Sequence, residues 1–212
     1  MPNTVIESLQ WRYATKIFNE RKIIDQDKID SICEAFNLTA TSYGLQPIKL
    51  LVLQNKKIQK QLLPIAFNQV QVSTASHILI VCIENNIDAD FIASYFKYIK
   101  NKRKEGHDEI NAYQEVLNSR FEVKTKEEIQ LWAVKQAYLA LGNLLTVCAM
   151  EKIDSCPMEG FIPQQLDELL GLNNKGISSV LLLPIGYRSD SDLTASATKV
   201  RRPLQESIEH IF

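Results

Sequence analysis

Trp132-Ala-Val-Lys-Gln-Ala-Tyr-Leu-Ala-Leu-Gly-Asn143 is the centre of the most legible helix in this chain. Read from Glu127 to Glu151, the apolar residues Leu131, Val134, Ala137, Tyr138, Leu141, Leu144, Leu145 and Cys148 recur at helical spacing and form a long, wide stripe. Small Ala137, Ala140 and Gly142 lie along the same segment and admit close neighbours. Such a helix is expected to cross the middle of the molecule or a dimer interface.

Outward from that helix, three apolar runs of strand length read as a sheet: Ile48–Leu53, Ser76–Ile83 and Ser178–Leu183. The second is apolar enough for burial on both faces. Helices are expected at Thr4–Leu9, with Thr4 and Glu7 as a capping box, and after Asp25 or Asp27, where Ile29, Ile32, Cys33 and Phe36 keep helical spacing. Further helices are read at Lys56–Phe67, Asp88–Lys104 and Pro163–Leu170, the last closed by Gly171. Thr39–Pro47 and Asn68–Thr74 read as loops, and Asp154–Gly160 as a short extended piece. Glu105–Thr125 shows no clear period, and the tail from Arg188 is polar and irregular up to Ile208–Phe212. The pattern is α+β or α/β, and with no shift in composition residues 1–212 read as a single domain.

The 212 residues carry 24 Lys and Arg against 25 Asp and Glu, a net charge of −1, so no global field draws the chain to nucleic acid or anionic lipid. Hydrophobic residues at 45% and charged residues at 23% exclude a disordered chain. No uninterrupted apolar run approaches the roughly 18–20 residues of a membrane span, and the first twenty residues hold no signal-peptide core. Cys33, Cys82, Cys148 and Cys156 form no Cys-x-x-Cys, and His77, His107 and His210 lie far apart, so no structural zinc site is expected. Reduced thiols of this kind fit a cytoplasmic protein.

Three local patterns point to chemistry. Arg12-Tyr-Ala-Thr-Lys16 puts two cations on one side whether the segment is extended or helical. Lys199-Val-Arg201 does the same near the other end of the chain, so the two pairs read either as solvated basic patches or as a clamp for one phosphate group. Pro157-Met-Glu-Gly-Phe161 offers free backbone N–H groups beside a glycine that lets a flat ligand approach. The basic run Lys100–Lys104 reads as a solvated helix end. Gly-rich dinucleotide and P-loop patterns are absent.

Taken in order, these pieces resemble the FMN-dependent nitroreductase family, especially its oxygen-insensitive NAD(P)H nitroreductase and dihydropteridine reductase branch. The resemblance spans nearly the whole chain. It rests on Arg12–Lys16, the hydroxyl-rich loop ending Gln46-Pro47, Asn68, Ala75-Ser-His77, Trp132–Asn143, Pro157–Phe161 and Lys199-Val-Arg-Arg-Pro203.

The resemblance implies a three-layer α/β/α sandwich around a mixed, mainly antiparallel sheet. It also implies an intertwined homodimer with two FMN sites, and NAD(P)H as co-substrate. Position by position, it implies that Arg12, Lys199 and Arg201 hold the phosphate, and that Lys16 and Asn68 reach the pyrimidine end of the flavin. Tyr13, Ala14, Gln71, Pro157 and Met158 belong to the same implied site. Backbone N–H groups of Glu159 and Gly160 would face N5 and O4. Ala40, Thr41, Ser42, Gly44 and Gln46 would come from the partner subunit, and Tyr43 and Asn68 would line the substrate pocket.

Four positions depart from the family pattern: Ala14 stands where Ser is frequent, Gly44 where Asn is, Tyr43 where Thr is and Gln71 where Lys is. Fewer donors therefore surround the ring. The implied function is ping-pong hydride transfer from NAD(P)H to nitroaromatic, quinone or related acceptors. Alternatives on the same fold are a flavin, dihydropteridine or quinone reductase, or a non-catalytic FMN-binding dimer.

Overall fold

The computed structural model describes residues 4–103 and 107–212, so Lys104 and Glu105, which close and open segments read above, lie outside the described residues. Its centre is a four-stranded antiparallel sheet of order β1–β2–β4–β3, with β1 at Ile48–Leu53, β2 at His77–Glu84, β3 at Asp154–Ser155 and β4 at Ile177–Gly186. One parallel bridge, Ala14 to Ser155, adds a further segment at the β3 edge.

Side-chain alternation along β2 divides the core in two. Leu79, Val81 and Ile83 face one way, with Leu181, Leu183 and Ile185 of β4. Against them pack α2 (Gln26–Asn37), α5 (Ala89–Lys102), α6 (His107–Glu122) and α7 (Lys126–Met150). Ile78, Ile80 and Cys82 face the other way, towards α3 (Lys56–Ile65), α4 (Gln71–Thr74) and α8 (Pro163–Leu170). Both faces of β2 are therefore covered, which is why its sequence is continuously apolar. The result is the expected three-layer α+β sandwich.

Helix α7 opens with a capping box in which Thr125 and Glu128 satisfy each other's backbone N–H. By length and composition it is apolar enough to cross a membrane, although no uninterrupted run signals this. Its packing is that of a core helix: Ala133, Ala137, Ala140, Leu144 and Cys148 are fully buried, and the small residues let it lie close to the sheet.

Several segments differ from the sequence reading: β4 runs from Ile177 to Gly186 where Ser178–Leu183 is expected, and the tail holds a short helix at Leu204–Ser207. Residues 107–122, which show no clear period, form α6, paired with α5. Among the described side chains of α6 only Leu117 and Phe121 are buried, so its apolar face is too thin to read. The Asn68–Thr74 loop contains the single turn α4, whose Gln71 and Thr74 are polar yet buried. Ile208–Phe212 forms no strand in this chain and is exposed throughout.

Candidate functional site

The chain leaves α1 (Thr4–Trp11) at Arg12 and runs extended along the edge of the sheet. Ala14 bridges Ser155, the Thr15 N–H donates to the Ser155 carbonyl at 3.3 Å, and Phe18 bridges Arg188 in the antiparallel sense. Thr15 is buried, so the residues alternating with it, Arg12, Ala14 and Lys16, fall on the more open side. The extended reading of this arm is the one the backbone adopts.

The second cation pair arrives from the C-terminal segment. The Lys199 ammonium donates to the Leu9 carbonyl at 2.5 Å and to the Arg12 carbonyl, at the C-terminal end of α1 where cations are favoured. Burial pushes the Arg12 pKa down, and the charge of Arg201 pushes it further. Burial, then Arg12 and Arg201, do the same to Lys199. Arg12, Lys199 and Arg201 thus repel one another, and among the described residues none has a carboxylate within ion-pair distance. The buried Nε of Arg12 has no hydrogen-bond partner. A buried donor without a partner is costly, and three converging cations without an anion are costly again. An external phosphate-like anion answers both.

Beside the cations lies the loop after β3. Met158 pairs with Leu182 through two backbone hydrogen bonds of 2.8 and 3.0 Å, which turns the next residues away from the sheet. Neither Glu159 nor Gly160 finds an acceptor for its N–H among the described residues, leaving two donors free. Gln69 Nε2 donates to the Gly160 carbonyl at 2.8 Å and so ties the Phe67–Asn68 turn, both residues left-handed, to this loop. A Cβ on Gly160 would lie 2.8 Å from that same Nε2, so a side chain there would displace the Gln69 amide. Gln71 is buried and directed at the Cys156 thiol at 3.9 Å, just before Pro157. Glu159 itself accepts from the Tyr138 hydroxyl at 2.7 Å.

One chain therefore brings together Arg12, Lys199 and Arg201, and sets Gln71 and the Asn68 turn against the 157–160 loop. It does not bring Ala40, Thr41, Ser42, Gly44 and Gln46 there. The Ser42 N–H donates to Gln136 Oε1 at 2.8 Å, and Asn143 holds the Ala35 carbonyl and the Thr39 hydroxyl. Gln136 and Tyr138 are two residues apart on α7, about 200° round its axis at 3.6 residues per turn. The 40–46 loop and Glu159 consequently sit on opposite sides of that helix. Tyr43, expected in the substrate pocket, has its ring packed against Phe121 and Trp132, each 6.1 Å away between centroids. Those contacts turn the ring towards the core of this chain.

Two functional-looking side chains escaped the sequence reading. Asp192 accepts the Tyr13 hydroxyl and the N–H groups of Lys16 and Ile17 on one oxygen. Burial opposes its charge, but hydrogen bonds from Thr194, Lys16, Ile17 and Tyr13 outweigh burial and leave its pKa at about 2. Arg188 lies over the rings of both Trp11 and Tyr13 and pairs with Asp154. The signal for Asp192 was its place two residues before Thr194 in a polar stretch, an Asx-turn pattern. A cavity of about 650 Å³ over Ile87, Ile92, Phe121 and Ile129 shares no residue with the cation cluster.

The sequence model of the nitroreductase family matches residues 9–187. This chain belongs to that family. A Staphylococcus haemolyticus relative named "Putative NAD(P)H nitroreductase" is 32% identical over 221 aligned positions, covering 100% of this chain and 99% of its own. The solved structure of a nitroreductase-like protein from Streptococcus mutans superposes with a TM-score of 0.87 at 25% identity, covering both chains completely. An Exiguobacterium sibiricum protein solved in complex with FMN has the same fold, with a TM-score of 0.83 at 21% identity over 98% of this chain and 97% of its own. The nitroreductase fold extends past the matched segment in this chain, to the arm that carries Lys199 and Arg201.

Proposed function

We propose that this nitroreductase-family chain is an FMN-dependent NAD(P)H oxidoreductase acting as a homodimer, each chain a single domain over residues 1–212. The observation that carries the reading is the cluster of Arg12, Lys199 and Arg201, with a buried unpartnered Nε and, among the described residues, no carboxylate beside it. Guanidinium groups suit phosphate oxygens through charge-assisted hydrogen bonds. When bound, FMN supplies hydride transfer at N5 between a nicotinamide and an acceptor.

The protein's own residues bind and orient. Arg12, Lys199 and Arg201 hold the phosphate, and Lys199 keeps a third N–H for it after its two carbonyl contacts. Lys16 supplies positive charge at the pyrimidine end, where reduction builds negative charge, with Asn68 beside it. The free N–H groups of Glu159 and Gly160 donate to the N5 and O4 edge. One pocket used in turn by nicotinamide and acceptor gives ping-pong kinetics, with nitroaromatic, quinone or related compounds as acceptors.

The homodimer reading rests on the two groups of implied contacts lying on opposite sides of α7, so that Thr41, Ser42 and Gly44 would serve the partner's site. Val5, Ile6 and Leu9 on α1 and Leu131 and Leu139 on α7 are exposed apolar residues of the kind an interface covers. Exposed Ile208, Ile211 and Phe212 would pair with the partner's sheet edge.

Anaerobic titration of the purified protein with NADH and with NADPH tests the reading. Flavin absorbance bleached by either supports it, and a protein that holds no flavin after incubation with FMN overturns it. Sedimentation equilibrium at nanomolar concentration tests the assembly, and an FMN-loaded 24.2 kDa monomer would exclude a two-chain site.

A further inference from the structure

Building on the flavin-site reading above, we propose that Asp192 is the positioning residue of the anion site. It holds the arm that carries Arg12 and Lys16 against the arm that carries Lys199 and Arg201. Its carboxylate is almost wholly buried and accepts five hydrogen bonds. Oδ2 takes three, from the Tyr13 hydroxyl at 3.0 Å, the Lys16 N–H at 2.8 Å and the Ile17 N–H at 3.2 Å. Oδ1 takes two, from the Thr194 N–H at 3.0 Å and its hydroxyl at 2.6 Å. One oxygen therefore belongs to the N-terminal arm and the other to the turn that starts the C-terminal arm.

None of the five donors is a charged side chain. The carboxylate organises the site without neutralising its cations, which stay available to an external anion. Among the described residues, the segment 193–203 makes its other hydrogen bonds to the N-terminal arm through Lys199 alone. Loss of the Asp192 anchor leaves Lys199 and Arg201 on a strand of exposed chain, and phosphate must then order that chain as it binds. An amide does not substitute for the carboxylate. Asn at 192 keeps an acceptor for Thr194 but sets an NH2 group against the three donors of the other arm.

Only FMN carries the phosphate, so its affinity relative to riboflavin isolates this role from folding. Dissociation constants for FMN and riboflavin are measured by flavin fluorescence in wild type, Asp192→Asn and Thr194→Val, with thermal melts as the folding control. In Asp192→Asn, FMN affinity should fall by about tenfold or more, as expected for loss of an organised charge-assisted contact. Riboflavin affinity should fall by less, because of the groups on the two arms only Lys16 reaches the ring, so the FMN-to-riboflavin affinity ratio should drop. Thr194→Val removes one donor outside the site and should move the ratio the same way by less, which decides the matter if Asp192→Asn does not fold. An unchanged FMN-to-riboflavin ratio in a folded variant overturns the positioning role alone. A wild type with no preference for FMN overturns the phosphate-site reading itself.

Discussion

Arg188 closes on Asp154 from two sides. Its backbone N–H donates to Oδ2 at 2.8 Å, while its guanidinium reaches Oδ1 through Nε at 2.8 Å and Nη2 at 2.6 Å. Asp154 is nearly inaccessible, in β3, and Arg188 follows β4, so the pair locks the ends of the two strands. The guanidinium also lies 4.4 Å from the Trp11 ring centroid and 4.6 Å from that of Tyr13. End of helix, arm and sheet edge thus meet behind the cation cluster.

Arg188→Met should destabilise the protein by about 3 kcal/mol, because it leaves the Asp154 carboxylate buried without its counter-charge. Adding Asp154→Asn to Arg188→Met should recover part of that loss, since no buried charge then remains. Urea midpoints of the two single variants and the double variant check this, and strictly additive losses would contradict it.

Acid should release the Asp192 anchor. Its folded pKa of about 2 lies below the unfolded value near 3.9, so its stabilisation is complete above about pH 4 and is lost as pH falls towards 2. Asparagine at 192 does not titrate. The stability gap between wild type and Asp192→Asn should therefore narrow over that window and stay constant from pH 5 to 7. Urea melts at each pH measure it.

Gly44→Ala should destabilise through two separable causes. The residue has φ +70°, which costs an L-residue about 1–2 kcal/mol. A Cβ there would also stand 2.6 Å from the Tyr95 hydroxyl. Tyr95→Phe in the Gly44→Ala background removes the second cause and leaves the first, so thermal melts should show partial and not full rescue.

Arg201→Ala should weaken FMN binding more than Ala14→Ser changes it. A guanidinium–phosphate hydrogen bond contributes roughly 1.5–3 kcal/mol and an added serine hydroxyl about 1 kcal/mol. Among the described residues Arg201 donates only to its neighbour's carbonyl, so its removal unmakes little else. Flavin content after extensive dialysis measures the difference, and equal occupancy in wild type and Arg201→Ala would remove Arg201 from the phosphate site.

Sequence alone determined the layers. Strand β1 coincides with the apolar run Ile48–Leu53, and β2 and the long helix α7 depart from their readings by a residue or so. In each of these, burial is strong and regular, so the period of the apolar residues is the period of the backbone. The Arg12–Lys16 and Lys199–Arg201 pairs point to a phosphate only through the family resemblance, because spacing alone reads equally as two solvated basic patches.

Tertiary structure decided what local periodicity does not encode. Among its described side chains helix α6 buries only Leu117 and Phe121, and it is held by α5 more than by its own pattern. Gln69, Gln71 and Tyr138 act through partners 91, 85 and 21 positions away in the chain. Asp192 joins residues 175 to 179 positions distant, and in sequence it is one acid in a polar tail. Hydrogen-bond partners of this kind are chosen by where folding delivers an unpaired N–H. The sequence states which residues must leave water, and the closed fold alone states which donors are left facing them.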